Sequence, residues 1–510
     1  MGLIKKDNEE DTLDEALRTE ARIEELPSED SDSEFEDVDG DRKARRGSPG
    51  LDQEQLPLYL QEATLGLFHD DHETKTSTDQ QKVKDECLPF LLGRETQGLP
   101  LNAHGLPRLR KEQHAAFLRA QLGSLPAPYV AADASRPWFF YWTIAGLGFL
   151  GEDVSEYKER LIETVRPLQN RSGGFGGGHG QLSHCAGTYA TVLALACVGG
   201  LDMVDRKAMW QWLGNMKQAD GGFTMASGAE EDIRGAYCAM TIITLLNLPL
   251  ELPPHAPARQ SGLTSFLDQL GKWVGRCQTY EGGIAGAPTN EAHGAYAFCA
   301  LACLSIIDAP KKSIPRYLDV ERLVHWLAAR QTQPEGGFQG RQEKLVDACY
   351  SHWVGGCWDL IQAALLPPHA VNGTAKVLNV FTGFSDEAKD IWSRAALIRY
   401  LLTCCQQKGA KKAGMRDKPS TRPDGYHTCY SLAGLSHAQN RYQYDDSDAT
   451  KDGTDRLMAA LKWRAQKPSA VEMAEWGFEE CDRVGFVHPV FVVPMEVAEA
   501  ARRQFEGRGI

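Results

Sequence analysis

The sequence predicts an all-α protein, an α/α barrel (toroid) of repeated helix pairs behind a disordered acidic N-terminal extension. Three observations carry this prediction. Four segments, "LQNRSGGFGGG", "KQADGGFTM", "CQTYEGGIAGAP" and "RQTQPEGGFQGR", share a glutamine, a few polar residues and a Gly-Gly pair followed by an apolar residue. The pairs begin at Gly173, Gly221, Gly282 and Gly336, at steps of 48, 61 and 54 residues. Each is preceded by an amphipathic stretch such as "DRKAMWQWLGNMKQ" and followed by an apolar one such as "GAYCAMTIITLLNL". One repeat therefore reads as outer helix, glycine turn and buried inner helix. Inner helices apolar on every face must be covered on two sides, which favours a closed ring over an open solenoid.

Taken in chain order, the first element is the extension, residues 1–55. Residues 1–41 hold 17 Asp and Glu against 4 Lys and Arg, so this head carries nearly all of the formal net charge of −14. With so few large apolar residues it has no core to build and reads as disordered. The rest of the chain is close to neutral, which gives no electrostatic case for nucleic-acid binding. The apolar runs, "WFFYWTIAGLGFLG" among them, fall short of the ~20 residues of a membrane span. No basic stretch followed by an apolar one opens the sequence, so a secretory signal is not expected. The 13 cysteines show no framework spacing and many sit in apolar runs, which suits a reducing, cytoplasmic location.

Residues 56–510 are assigned to the barrel. Its interruptions are inserted loops at about 250–262, 367–390 and 406–423, followed by a C-terminal tail. The glycine turns gather at one end, and the inner-helix starts surround a mouth. Chemistry recurs at those starts. Arg234 and Tyr237 follow the second Gly-Gly pair, His293 and Tyr296 the third, and Arg341, Lys344, Asp347 and Cys349 the fourth. Convergence of cations, aromatics and a thiol on one place marks a site.

His293, Arg341 and Lys344 read as cations at helix starts, where free N–H groups also attract anions, so a phosphate or diphosphate is the expected ligand. Arg341 and Lys344, three apart, are expected to share one face of a helical turn. Asp347 and Cys349 would diverge on a regular helix, so joint ligation requires the turn before it. With a histidine from elsewhere they suit zinc with an open position. The aromatics Trp138, Trp142, Tyr237, Tyr296, Tyr350, Trp353 and Tyr430 suit a ligand with an anionic head and a long apolar tail, and they favour cationic charge at the reacting carbon. The bland reading of each feature is a solvated charge, a core cysteine or a core aromatic.

At these residues the chain resembles the protein prenyltransferase β-subunit family, most of all its farnesyl-transferring branch. The resemblance runs through "DASRPWFFYW", "GGFGGGHGQLSH", "DIRGAYCA", "CQTYEGGIAGAPTNEAHGAYAFC", "GGFQGRQEKLVDACYSHW" and "DGYHTCYSLAGLS", over most of residues 85–440, with a weaker match at "HPVF". It implies an obligate heterodimer with an α subunit and farnesyl diphosphate as co-substrate. The acceptors it implies are C-a-a-X proteins such as Ras-like small GTPases. It implies Asp347, Cys349 and His427 as zinc ligands, which leaves His352 out of the site. His293, Arg341, Lys344 and Tyr350 are implied to hold the diphosphate, with Lys344 and Tyr350 counted among the catalytic residues. Arg234, Tyr237, Tyr296, Cys299 and Trp353 would line the isoprenoid pocket, and Trp138, Trp142 and Tyr426 would border the acceptor peptide. Trp138 and Tyr430 are implied to set lipid length, and Asp417 to contact magnesium.

Other readings stay open at the level of sequence. A geranylgeranyl-transferring β subunit has the same chemistry with a longer tail, and bulk at Trp138 and Tyr430 argues for the shorter lipid. A triterpene cyclase shares the barrel but needs an Asp-x-Asp-Asp acid, and Asp445-Asp446-Ser447-Asp448 has the wrong order. A helical scaffold without chemistry would contain no zinc.

Overall fold

The computed structural model describes residues 56–365, 390–409, 413–446 and 457–510. The acidic head, nearly all of the 367–390 insertion and part of the 406–423 insertion lie outside the described residues, as do Ser447 and Asp448. After a single helical turn at Glu62–Leu65 comes helix α1 (Lys75–Leu91), and outer and inner helices then alternate. These are α2 (Lys111–Gln121) and α3 (Arg136–Phe149), α4 (Lys158–Val165) and α5 (Cys185–Cys197), then α6 (Arg206–Met216) and α7 (Ile233–Leu245). The pair α8 (Leu270–Arg276) and α9 (Gly294–Ile307) follows, then an extra helix α10 (Pro310–Tyr317). Outer helix α11 (Val320–Ala328) leads to an inner helix in two pieces, α12 (Tyr350–Trp353) and α13 (Cys357–Leu365). Outer α14 (Arg394–Thr403) and inner α15 (Gly425–Gln439) complete the ring. Inner helices pack in sequence, α3 on α5, α5 on α7, α7 on α9, α9 on α12 and α13, and α12 on α15, which returns to α3. The ring is closed, as the all-apolar inner helices require. In α9 every residue except Ala295 and Ile307 is buried, whereas α6 buries Ala208, Met209, Trp212, Leu213 and Met216 and exposes Lys207 and Gln211.

The repeat signature has a direct structural cause. After each outer helix the chain makes a tight hairpin, bridged at Gln169–Phe175, Lys217–Phe223, Gln278–Ile284 and Gln331–Phe338. Gly282 has φ +100°, and a Cβ there would meet the Arg322 carbonyl carbon on α11 at 2.4 Å. Only glycine tolerates both the left-handed backbone and that approach. The glutamine clasps the same neighbouring helix. Gln278 Nε2 donates to the Asp319 carbonyl at 2.9 Å, and the Asp319 N–H donates to Gln278 Oε1 at 2.8 Å. Asp319 is the N-cap of α11. Gln169 grips Asp205, the N-cap of α6, in the same way, and Gln331 grips Ser393, the N-cap of α14. Each repeat thus satisfies backbone groups at the start of the next outer helix. Gln218 departs from the rule and donates to Met216 O instead. Its neighbour α8 follows the 250s insertion and begins at Gln269 in a left-handed conformation, with no Asp or Ser cap to hold.

The far end of the ring is closed by the tail. Val490, Phe491, Val492 and Val493 are buried. The Val490 and Val492 carbonyls accept hydrogen bonds from Tyr237 and Tyr141, each at 2.7 Å. The Gly485 N–H donates to Phe149 O, the last residue of α3, at 2.7 Å. A short antiparallel pair, β1 (Arg441–Tyr444) and β2 (Trp463–Gln466), and helices α16 (Ala470–Trp476) and α17 (Met495–Arg503) lie outside the ring sequence.

One buried cation tests this packing. Lys217 is 1% exposed, donates from Nζ to Gly221 O at 2.7 Å and lies 4.8 Å from the Phe223 ring centre. Burial pulls its pKa from 10.5 down to about 7. Above pH 7 the unfolded chain therefore binds one more proton than the folded chain, up to about pH 10.5, and stability rises with pH in that window. Wild type should gain roughly 2 kcal/mol over Lys217→Met between pH 7 and pH 9.5, read from urea midpoints. Parallel pH profiles for the two proteins would contradict it.

Candidate active site

Helix α15 begins at Asp424, whose carboxylate accepts the His427 N–H at 2.7 Å and caps the helix. Its other oxygen lies 2.6 Å from His427 Nδ1. One carboxylate therefore starts the helix and orients the imidazole, with Nδ1–H as donor and Nε2 left for a ligand. His427 Nε2 stands 3.4 Å from Asp347 Oδ1 on the facing repeat. Asp347 lies before α12, and its Oδ1 accepts the Cys349 N–H at 2.8 Å. That turn folds the two side chains toward one point, as their spacing demanded. The ligand atoms of Asp347, Cys349 and His427 all lie within 4.8 Å of one another.

The electrostatics fit a site for a cation. Burial, then the Asp347 carboxylate, push the Cys349 thiol well above its ordinary pKa. Burial alone would lower His427, but Asp424 and Asp347 outweigh it and hold the imidazole protonated more strongly than usual. Burial would likewise raise Asp347, but His427 overcomes it and the carboxyl is depressed. Beside them is Asp417, which burial and then Asp347 raise to about 6. Lys418 forms an ion pair with it.

A second group adjoins this one. His293 caps α9, its Nδ1 accepting the Ala295 N–H at 3.1 Å, and its Nε2–H donates to Tyr350 Oη at 3.1 Å. The Tyr350 hydroxyl keeps its own proton to donate, and burial raises its pKa well above the usual value. Tyr296 packs 5.3 Å from His293, and Arg234 lies 5.6 Å from the Tyr296 ring centre. Arg234 is held by Asp232, the N-cap of α7, through Nε at 2.9 Å and a terminal nitrogen at 3.0 Å. Arg341 pairs with the exposed Glu291, and the Lys344 side chain is exposed.

The third group is aromatic. Trp138 stacks on Trp142 at 5.6 Å, Trp142 meets Tyr426 edge-on at 5.3 Å, and Tyr426 meets Tyr430 at 4.9 Å. Trp353 lies 4.6 Å from Tyr430 and donates from Nε1 to Tyr426 Oη at 3.1 Å. Tyr237 and Cys299 are buried on α7 and α9.

Two expectations need correction. Arg341 and Lys344 do not share a helical face, because both lie in the irregular segment ahead of α12. That segment must first fold Asp347 and Cys349 together, and a helix through it would drive them apart. Nor do Arg341 and Lys344 stand at a helix start, since α12 begins only at Tyr350, and the inner helix is itself in two pieces, α12 ending at Trp353 and α13 beginning at Cys357.

Sequence reasoning missed Asp424, Lys418, Glu291 and Tyr189. Tyr189 sits between Trp138 (6.0 Å) and Tyr237 (5.4 Å), its hydroxyl 3.1 Å from that of Tyr237. A usable signal was present, because Gly187-Thr188-Tyr189, Gly235-Ala236-Tyr237 and Gly294-Ala295-Tyr296 recur at successive inner-helix starts. Glu291 acts through Arg341, which only the fold brings close, and Asp424 acts through a cap and a ring orientation that exist only once α15 has formed.

Residues 109–493 match the family described as the prenyltransferase alpha-alpha toroid domain. The protein farnesyltransferase subunit beta of Pyricularia oryzae is 50% identical over 474 residues, covering 90% of this chain and 88% of its own. The subunit of the same name from Schizosaccharomyces pombe is 33% identical over 438 residues, covering 85% and 98%. Among solved structures, Candida albicans protein geranylgeranyltransferase-I complexed with GGPP superposes with a TM-score of 0.55 at 18% identity, over 78% of this chain and 99% of that one, which speaks to the fold. On this fold, and with half of its residues shared across nearly the whole of a relative, the chain belongs to the family of protein farnesyltransferase β subunits.

Proposed function

We propose that the chain is the catalytic β subunit of a heterodimeric, zinc-dependent protein farnesyltransferase. In the reaction, the cysteine thiol of a C-terminal C-a-a-X segment loses its proton. Its sulfur forms a bond to C1 of farnesyl diphosphate, and the C1–O bond breaks with the electron pair leaving on diphosphate. The observation that carries this reading is the meeting of Asp347, Cys349 and His427 within 4.8 Å, beside the His293–Tyr350 pair. Thiolate, imidazole and carboxylate are zinc donors, and three protein ligands is the number found in catalytic zinc sites. When bound, zinc supplies the charge that keeps a substrate thiol ionised near neutral pH.

The chain's own groups do the rest. Tyr350 presents a protonated hydroxyl, oriented by His293, to an oxygen of the leaving diphosphate. Arg341 and Lys344 add positive charge, and the pair of Arg341 with exposed Glu291 costs little to open. Tyr237, Tyr296, Cys299, Trp353 and the Arg234 side chain line the path of the lipid, and Trp138, Trp142 and Tyr426 border the acceptor peptide. Asp417 fits magnesium less well, since Lys418 already neutralises it. Among the described residues no helix is long and apolar enough to cross a membrane. All the cysteines are free thiols, which supports a cytoplasmic enzyme. The name subunit beta, which the relatives carry, supports an α subunit as partner, and C-a-a-X proteins are the acceptors that the family resemblance implies.

Co-expression with an α subunit, followed by transfer assays on a C-a-a-X peptide, tests the reading. Farnesyl diphosphate should be used in preference to geranylgeranyl diphosphate. A folded, zinc-loaded heterodimer that transfers neither lipid would overturn it. A second measurement addresses the metal site alone. Because Cys349 and His427 both hold protons in the metal-free protein, zinc binding at pH 7 should release about two protons. Affinity should rise with pH until both are lost. Titration calorimetry in two buffers of different ionisation heat reads the number, and a release near zero would contradict the assignment.

A further inference from the structure

Beneath the aromatic wall runs a buried polar chain that the reaction does not use. Asp359 on α13 lies 2.6 Å from His437 Nδ1 on α15, and His437 Nε2 lies 3.2 Å from His352 Nδ1 on α12. The three residues are at most 1% exposed. With Asp359 accepting from His437 Nδ1–H, His437 Nε2 can accept from His352 Nδ1–H, which fixes the tautomer of both rings. Burial, then the His437 ring, hold His352 uncharged. Its Nε2 has no hydrogen-bond partner among the described residues. A core needing only bulk here would be better served by phenylalanine, since an unpaired buried nitrogen costs stability.

The position of His352 accounts for what that cost maintains. Its ring lies nearly parallel to Tyr430, 22° and 5.3 Å apart, and packs against Trp353 at 4.8 Å and Phe298 at 4.4 Å. Tyr430 and His437, seven apart, lie on one side of α15 facing the same inner helix. That inner helix loses its regular ladder between Trp353 and Cys357, where turn bonds such as Gly356 N–H to His352 O at 2.7 Å join α12 to α13, so a side-chain tie to α15 adds to a hold that the helix alone does not complete. The helices are also close, since a Cβ at Gly356 would meet His437 Nε2 at 3.0 Å.

We propose that the Asp359–His437–His352 chain is a strut that positions Tyr430 and Trp353 against the lipid and thereby sets how long an isoprenoid is accepted, with His352 as the positioning residue. This rests on the assignment of those two aromatics to the lipid pocket. Without the strut the Tyr430 and Trp353 rings can yield to one more isoprene unit.

The test uses the zinc-loaded heterodimer and one C-a-a-X peptide, and reads kcat/KM for farnesyl and geranylgeranyl diphosphates. His352→Phe keeps a ring of similar volume and severs the link. It should lower the farnesyl preference about tenfold, mainly by gain on the longer lipid, with zinc content and peptide KM unchanged. Asp359→Asn retains an acceptor for His437 and should keep the preference within about threefold of wild type. A purely structural role would lower both activities together and leave the ratio alone. Should His352→Phe fail to assemble, Asp359→Leu/His437→Phe severs the same link from the other side with no buried charge left, and its ratio decides. An unchanged ratio in the severed enzyme overturns the strut. If Trp138→Thr shifts the ratio while His352→Phe does not, only the strut is lost. If neither shifts it, the lipid-pocket assignment itself has failed.

Discussion

Replacing Cys349 by alanine is expected to strip the enzyme of most of its zinc and to lower peptide alkylation by roughly a hundredfold or more, with the ring intact. Cys349 is 2% exposed and supplies the only thiolate of the three-residue group. Once it is gone, Asp347 and His427 remain, and two ligands hold zinc poorly. Without zinc the substrate thiol returns to its ordinary pKa near 8.5, so little of it is ionised at pH 7. The folded ring should tolerate the change, because Cys to Ala removes one buried sulfur and opens a small space. Asp424→Ala provides a graded companion. It removes both the α15 cap and the group orienting His427, so zinc affinity should fall about 10- to 100-fold while all three ligands stay in place. Zinc per heterodimer by atomic emission, set beside peptide alkylation rates, measures both effects. Stoichiometric zinc in a folded Cys349→Ala/His427→Ala double variant would remove these residues from the metal site.

The contrast between Cys349 and Asp424 shows which parts of the site were legible in the sequence. Asp347 and Cys349 could be paired in advance because helix geometry forbids their joint use inside a helix and allows it just before one. The ring was legible for a similar reason, since inner helices such as Gly294–Ile307 have no polar face to give to water. The Gly-Gly turns were legible as punctuation, although the clasp of Gln278 on Asp319 was not. A glutamine's partners lie 41 residues away, and only the stacking of one repeat on the next brings them close. Asp424 was hidden because "PDGYH" reads as an ordinary turn, and capping and orientation by one carboxylate emerge only when α15 exists. Arg341 and Lys344 were placed at the right end of the ring but in the wrong local structure. Three-residue spacing implies a shared face only where the backbone is helical, and the demand of Asp347 and Cys349 for a turn excludes that here. The His352 strut was invisible for the opposite reason. In "CYSHW" it sits among the residues of a site, yet its contacts face into the core.

The second large effect concerns lipid length. Trp138→Thr, combined with Tyr430→Phe, is expected to move selectivity toward geranylgeranyl diphosphate by at least about tenfold in the ratio of kcat/KM values. A geranylgeranyl chain is one isoprene longer, and a close-packed wall cannot admit five more carbons without displacing side chains. Trp138 stacks on Trp142 and tilts against Tyr189, while Tyr430 is wedged among Tyr426, Trp353 and His352. Tyr430 is 1% exposed and cannot turn aside into solvent. Threonine in place of Trp138 removes a whole indole, and the space opens at the ring interior where α3 faces α5. The metal group is built on the turn before α12 and the first turn of α15 through Asp347, Cys349 and His427, and the His293–Tyr350 pair on the starts of α9 and α12. None of these contacts passes through Trp138, so zinc content should stay constant and farnesyl transfer should fall much less than geranylgeranyl transfer rises. The same peptide must be used with both lipids, because Trp138 and Trp142 also border the peptide and a change in its KM would cancel in the ratio. A folded, zinc-loaded double variant with an unchanged ratio would place the length limit elsewhere in the ring. A wild-type enzyme that prefers the longer lipid would overturn the farnesyl assignment, because the bulk of Trp138 and Tyr430 would then leave room it is argued to fill.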